Sequence, residues 1–478
     1  MERKHAIKLN FLASWTAHAV ALLVGFFLMP YVLHTLEDRK YGMWIFINSL
    51  AGYGGLLYLG FGGTIGRFVA ESFARRDWTR LNQVVNVVLW AYLVLGALAI
   101  TIAIGLAWVA PSLNDWDGES IWEIRSVILV LGLNLSLGMV GSVFGGALIG
   151  IQRLDVEKRV TLTGDFLRIV LTLLLLEHDW GLLTLSAIFL AVTVFANVGY
   201  LFFAYRLVPQ LRIHPGLVRL SAVKDCMSFS LWSLVGEVAH QLAYSTDTIV
   251  IGVMLGAKAI VPYNIALRLC HFLRKPIGQI GDVCMPKAGE LHATSQSRKL
   301  QRLVEQGLGV SFLLTTGAYI GAAFFGDDLI MRWVGRGYES SHHLLIILLG
   351  AQVIALPVSM LRSVMFGMGR VKVPSLMYLA EAVLNLSLSV MLARWLGATG
   401  VALGTAIPVV AIELFVVLPY FFRSLQIEPA ELVRKSLGPQ VLPLFALWTY
   451  SISLSQMPDF GATWPRRNGS ASSVAFAN

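Results

Sequence analysis

Asn264, Arg268, His271, Lys275, Gln279 and Asp282 follow one another at intervals of 4, 3, 4, 4 and 3 residues. That spacing puts all six on one face of a helix. The surrounding stretch, 259–285, is otherwise apolar enough to cross a membrane. Three of the six side chains can be cationic. Arg268 stands ten residues beyond Lys258, about 15 Å along the axis at about 1.5 Å per residue, near the middle of a bilayer. A charge at that depth costs about 2.5–3.5 kcal/mol on insertion scales, so it must face protein or water. A stripe of Arg268, His271 and Lys275 exceeds what packing needs. It predicts a wet cavity for an anionic substrate, and the arginine fork matches phosphate oxygens in pairs.

Other apolar stretches carry polar faces of the same kind. Ser230, Ser233, Glu237, Gln241 and Tyr244 are spaced 3, 4, 4 and 3, with Asp247 close by. Glu237 and Asp247 are candidate carriers of a proton or Na⁺, because a low-dielectric cavity moves a carboxyl group into the titrating range. Either is equally suited to pairing with Arg268. Asn10, Ser14 and His18 form a shorter stripe, and Thr64, Arg67 and Glu71 end another; His18 and Arg67 join the candidate cavity. Asp165 and Arg168, three apart, can neutralise each other locally. Asn385 and Glu381 stand on one helix and Glu413 on another, and helix-to-helix contact accounts for them as well as function does.

The elements that must position these residues are membrane helices. Of 478 residues, 56% are hydrophobic and only 14% charged, and the mean hydropathy is +0.69. A soluble domain averages about 25% charged residues. Stretches long enough to cross a core of about 30 Å, which takes about 20 residues, fall near 9–33, 42–65, 84–110, 125–150, 160–177, 181–205, 226–254, 259–285, 302–325, 342–366, 373–393 and 399–422. A shorter thirteenth lies at 440–456. The runs are continuous, not alternating, which excludes a membrane barrel. The fold class is therefore an all-α polytopic membrane protein.

Between the spans, lysine and arginine collect on one side, twenty-six against seven, which places the N-terminus in the cytoplasm. The chain also repeats. Gly150-Ile151-Gln152-Arg153 returns as Gly367-Met368-Gly369-Arg370 at an offset of 217, Glu71 returns as Glu290 at 219, and Arg168 falls on Asn385 at 217. Six spans per half make parallel repeats about an axis along the membrane normal, with a site between them. The expected organisation is a six-helix lobe over 1–206, a cytoplasmic linker over 207–224 and a second lobe over 225–423. An amphipathic segment with an extra helix follows over 424–457, and a disordered tail over 458–478. The linker, with Pro209 and Pro215, is expected to lie on the inner surface as an amphipathic segment.

Several functions are excluded. The net charge of +9 sits in short loops, where the positive-inside effect explains it, so no nucleic-acid partner is implied. Cys226, Cys270 and Cys284 are far apart and read as small buried hydrophobes, not metal ligands. No P-loop, GxSxG or HExxH is present, so neither ATP hydrolysis nor an enzyme centre is expected, and no cofactor. The N-terminal apolar stretch lacks a cleavage site and reads as a retained first anchor.

Met29-Pro30-Tyr31-Val32-Leu33 with Tyr41-Gly42-Met43-Trp44, Asp247-Thr248-Ile249-Val250-Ile251-Gly252 with Leu255-Gly256-Ala257, Tyr263-Asn264-Ile265-Ala266, and Met285-Pro286-Lys287-Ala288 resemble the polysaccharide-transporter (O-antigen flippase) family. That family lies in the multidrug/oligosaccharidyl-lipid/polysaccharide exporter (MOP) superfamily. The resemblance implies two six-helix lobes that rock between inward-open and outward-open states around a central cavity. It implies a polyprenyl-pyrophosphate-linked oligosaccharide as substrate, moved from inner to outer leaflet of a bacterial inner membrane, with membrane lipids and glycan polymerase or assembly proteins as partners. Arg268 matches an arginine on the eighth helix of a related flippase. A cation-coupled multidrug antiporter is the alternative, since drug exporters share the Asp247-to-Ala257 pattern. A non-transporting scaffold in a glycan-assembly complex is a third.

Overall fold

The computed structural model describes residues 2–59, 61–109, 121–176, 181–219, 238, 241, 246–370, 372–425 and 428–455, with side chains from residue 25 onward except 62–64 and 282. Every regular element among them is helical, as backbone groups in lipid must be satisfied within the segment. The helices are α1 (Glu2–Tyr53), α2 (Phe61–Ala74), α3 (Trp78–Val109), α4 (Ile121–Gly150), α5 (Leu154–Leu175), α6 (Gly181–Leu207), α7 (Thr246–Leu255), α8 (Ala257–Ala293), α9 (Ser297–Val334), α10 (Glu339–Gly367), α11 (Lys372–Ile412), α12 (Leu418–Leu425), α13 (Pro429–Ser436) and α14 (Gly438–Ser455).

Six stretches of the described residues are long and apolar enough to cross a membrane: α3, α4, α6, α9, α10 and the run Lys372–Leu425. The remaining expected spans are shaped by their polar content. α5 carries Glu157, Lys158, Arg159, Asp165 and Arg168, and α8 its cationic stripe. The expected first and second spans are fused and then broken. α1 turns at Glu37 (φ 61°) and runs on to Tyr53, where a 3-10 turn over Gly54–Tyr58 interrupts it before α2. Gly52, Gly54, Gly55, Gly60, Gly62 and Gly63 crowd this region, and glycine costs a helix about 1 kcal/mol per residue against alanine. The eleventh and twelfth expected spans are one element folded back at Gly397, whose φ of 60° and ψ of −139° suit glycine alone. The short thirteenth appears as α14, with Pro443 inside it.

The chain forms two compact units. One comprises 1–272 with 370–417, the other 273–369 with 418–478. Their boundary falls inside α8, not at the linker. In the first unit α3, α4 and α6 pack through small residues. A Cβ at Gly132 would lie 2.3 Å from that of Ala103, and one at Gly141 would run into the Asn197 side chain. Membrane helices associate through such close approach, because lipid offers no hydrophobic drive between them. The second unit sets α13 and α14 on α9. The Phe324 and Trp448 rings meet edge to face at 5.1 Å, and Lys435 lies 3.7 Å from Glu305.

Of the expected linker, residues 207–219 are described. Between Pro209 and Pro215 it runs extended across α3, bracketed by two asparagines one turn apart. Asn82 donates to the Gln210 carbonyl (2.9 Å) and accepts from the Arg212 amide (2.7 Å). Asn86 donates to the Arg212 carbonyl (2.7 Å) and accepts from the His214 amide (2.8 Å). The prolines disfavour helix on either side, so the backbone groups between them need outside partners, and the side-chain amides supply them. Val208 and Leu211 are buried beneath the strap.

Candidate functional site

The stripe on α8 is real as a helical face, and its residues differ in environment. Asn264 is buried, Arg268 and His271 are half-buried, and Lys275 is exposed. The Asn264 carboxamide oxygen accepts from Arg268 Nε at 3.0 Å. One edge of the guanidinium is thereby fixed by its own helix. The fully buried Tyr41 hydroxyl, on α1, lies within electrostatic reach of the same charge. Arg67 is exposed on α2, 5.7 Å from the Phe68 ring centroid. The side chains of His18 and Asp282, and the whole of Glu237, lie outside the described residues.

A second group of polar residues converges around Asp247, which is 3% exposed at the start of α7. Tyr263 of α8 donates to its Oδ2 at 2.6 Å, and Thr405 of α11 donates to the same atom at 2.7 Å. Oδ1 has no hydrogen-bond partner among the described residues. Thr405 Oγ1 also stands 3.4 Å from Asn385 Oδ1 and 3.2 Å from the Val401 carbonyl. Ser389 Oγ stands 3.0 Å from Asn385 Oδ1 and 3.3 Å from that carbonyl. Each hydroxyl carries a single proton and can satisfy only one of the oxygens within its reach. Glu381, buried, lies one helical turn before Asn385.

The local sequence explains how the cell closes. The Gly397 turn brings 400–405 back against 385–393. Gly400 and Gly404, four apart, form the contact: a Cβ at Gly404 would lie 2.5 Å from the Ser389 backbone, and one at Gly400 would lie 2.1 Å from the Leu392 carbonyl oxygen. On the opposite side, Tyr53 of α1 makes a short hydrogen bond to Thr246, next to Asp247. Thr405 and the role of Tyr263 were not found from sequence. The signal available was the small-residue pair Gly400/Gly404, the second of which directly precedes Thr405.

Asp165 and Arg168 form an ion pair on α5 at 2.9 Å, with the guanidinium 5.6 Å from the Phe189 ring of α6. Glu413 is buried in a π turn that follows α11. Among the described residues no three His, Cys, Asp or Glu side chains gather as a metal site.

Residues 74–343 match the family described as "Polysaccharide biosynthesis protein". No curated protein matches the sequence. Among solved structures, the lipid II flippase MurJ in an inward closed conformation is similar at a TM-score of 0.70 and 12% identity, over 94% of this chain and 91% of that one. An inward-facing multidrug resistance MATE transporter of the MOP superfamily gives 0.68 and 18%, over 82% and 94%. A MOP superfamily transporter from Pyrococcus furiosus, with a binding pocket of reverse polarity, gives 0.59 and 17%, over 88% and 95%. These likenesses establish the fold of two six-helix lobes. With the family match spanning more than half of its length, this multi-pass membrane chain belongs to the family described as "Polysaccharide biosynthesis protein".

Proposed function

We propose that this chain flips a polyprenyl-pyrophosphate-linked oligosaccharide from the inner to the outer leaflet by alternating access, for O-antigen, capsule or exopolysaccharide assembly. Arg268 carries the reading. Its guanidinium is half-buried in the first third of α8 and held at Nε by Asn264, with the Tyr41 hydroxyl also within reach; the N–H groups beyond these contacts are the ones that meet a ligand. A pyrophosphate offers oxygens in the geometry that a guanidinium fork pairs with. His271 and Lys275 continue the cationic track along α8, His18 and Arg67 extend it from the first lobe, and the lipid tail stays in the bilayer. The family description and the likeness to a lipid II flippase support a lipid-linked glycan as cargo.

The drive in this reading is a monovalent cation, Na⁺ or H⁺, held at Asp247. The unpartnered Asp247 Oδ1 and the oxygens gathered around Thr405, those of Asn385 and the Val401 carbonyl, support that role. Glu381 is buried one helical turn before Asn385, and Glu237 is a second coupling candidate. The excess of basic residues on one side supports a cytoplasmic N-terminus in a bacterial inner membrane, where glycan polymerase and assembly proteins are the partners. A second reading, a cation-coupled multidrug antiporter, is favoured by the likeness to MATE transporters.

Expressing Arg268→Ala in cells that depend on this protein distinguishes the two. Flipping predicts loss of surface polysaccharide with normal membrane insertion, and partial recovery in Arg268→Lys. Unchanged polysaccharide overturns it, and drug resistance conferred by the wild-type chain, with glycan unaffected, establishes the second reading instead.

A further inference from the structure

The repeat extends to the residues that line the Asp247 cell. Thr161, Arg168 and Thr172 on α5 correspond to Tyr378, Asn385 and Ser389 on α11 at a common offset of 217, and Asp165 to Glu381 at 216. The packing is parallel as well. After α5 the chain returns as α6, so that Arg168 meets Phe189, twenty-one positions on. After Gly397 it returns within α11, so that Asn385 meets Thr405, twenty positions on. Thr172 and Ser389 are both buried. The helix leading each half lies alongside: Tyr31 of α1 donates to the Leu173 carbonyl of α5 at 3.3 Å, while Asp247 of α7 takes the Thr405 proton.

The two equivalent cells differ in charge. In the second, α7 contributes Asp247, whose hydrogen-bond donors are the hydroxyls of Tyr263 and Thr405. In the first, the position matching Asp247 is Pro30 at the offset of 217 and Leu28 at the offset of 219 that relates Glu71 to Glu290, and neither side chain offers an oxygen ligand. At the position matching Asn385 stands Arg168, bonded at 2.9 Å to the cell's own carboxylate, Asp165, and set against an aromatic ring. Among the described residues Asp247 is met by hydroxyls and by no ion pair, whereas Asp165 has its cation on the same helix.

We propose that Arg168 is a tethered cation that permanently occupies, in the first half, the place an exchangeable cation takes in the second, so that the chain couples one cation per cycle. The inference rests on the reading of Asp247 as the ion carrier. It makes Arg168 a specificity-determining residue: it sets the ion stoichiometry by closing the duplicate site. A guanidinium suits the task because its planar cationic face lies against the Phe189 ring.

Equilibrium dialysis of the purified full-length chain with radioactive sodium, beside dye-reported proton uptake on a pH step, counts exchangeable cations. We expect one per chain in the wild type and in Arg168→Lys, and two in Arg168→Asn, of which one survives addition of Asp247→Asn. A folded Arg168→Asn chain that still holds one, or a folded Arg168→Asn/Asp247→Asn chain that holds none, overturns the proposal. A wild type that holds none, or an Asp247→Asn chain that keeps the wild-type cation, overturns instead the reading of Asp247. The two failures are separable because the gain in Arg168→Asn is counted against its own parent. Should Arg168→Asn not be recovered folded, Asp165→Asn/Arg168→Asn decides. Its recovery means that Asp165 cannot stand without a cation, in support, whereas loss of both means that Arg168 acts only by packing on Phe189.

Discussion

Asp165 and Asp247 face the same physical problem and solve it differently. Both are carboxylates on membrane helices, where an uncompensated charge is expensive. Asp165 takes its compensation from Arg168, three residues along the same helix. Asp247 takes hydroxyl protons from Tyr263, 16 residues away, and from Thr405, 158 residues away. A local ion pair persists whatever the neighbouring helices do. A carboxylate held by hydroxyls from α8 and α11 depends on those helices staying together. Tertiary contacts of that kind are what a conformational cycle can make and break, and the local pair is what it can carry along unchanged.

The comparison breaks most visibly at the ion pair. Removing one partner of a fully buried pair typically costs about 3–5 kcal/mol, an upper bound for the partly buried Asp165–Arg168 pair, whereas replacing both partners by groups of similar volume is often neutral. Arg168→Met is therefore expected to lower the unfolding midpoint in detergent markedly, and Asp165→Asn/Arg168→Met to restore most of it. Equal losses in the two variants would show that the Arg168 stem packs and its charge does not matter. Next in size is Gly404→Ala, which pushes a methyl group into the Ser389 backbone 2.5 Å away. Overpacking of this kind costs about 1–3 kcal/mol, and here it also spreads the Asp247 cell. A lower midpoint with weakened cation binding is expected, and a lower midpoint with unchanged binding would detach the glycine contact from the cell.

The contrast also marks what was legible in the sequence. Asp165–Arg168 and the α8 stripe were visible because helical spacing alone brings their members together. Asp247, Asn385 and Glu381 were each conspicuous as polar residues in apolar stretches, yet nothing in their spacing said that Asp247 and Asn385 share a cell. That pairing depends on the Gly397 turn and on the Gly400/Gly404 approach, which set helix register in three dimensions. Thr405 was missed for the same reason: it and Thr399, six residues apart among alanines and glycines, give no helical periodicity. The path of the linker was not legible, because composition shows its prolines and basic residues but not Asn82 and Asn86, more than a hundred positions away, that hold its backbone. The apolar runs fixed where helices lie, and the glycine clusters near 52–63 decided where one of them breaks.

The smallest expected effect supplies the control. Glu431 and Lys435 form an i,i+4 pair on α13, exposed and outside the long apolar helices. The Lys435 ammonium, through its hydrogen bond and its charge, holds the Glu431 carboxyl below the usual carboxylate range. A lowered carboxyl contributes stability above the unfolded value of about 4.3 and loses it as the pH falls through the folded value. Water screens such a pair, and measured exposed pairs contribute little. Lys435 also keeps Glu305 at 3.7 Å as a second partner. Glu431→Gln is therefore expected to leave the unfolding midpoint at neutral pH unchanged, and to differ from wild type by no more on acidification. If Arg168→Met proved equally silent, the pair on α5 would be behaving as a solvated one. The distinction between a cation sealed into one half and a cation exchanged in the other would then lose its energetic basis.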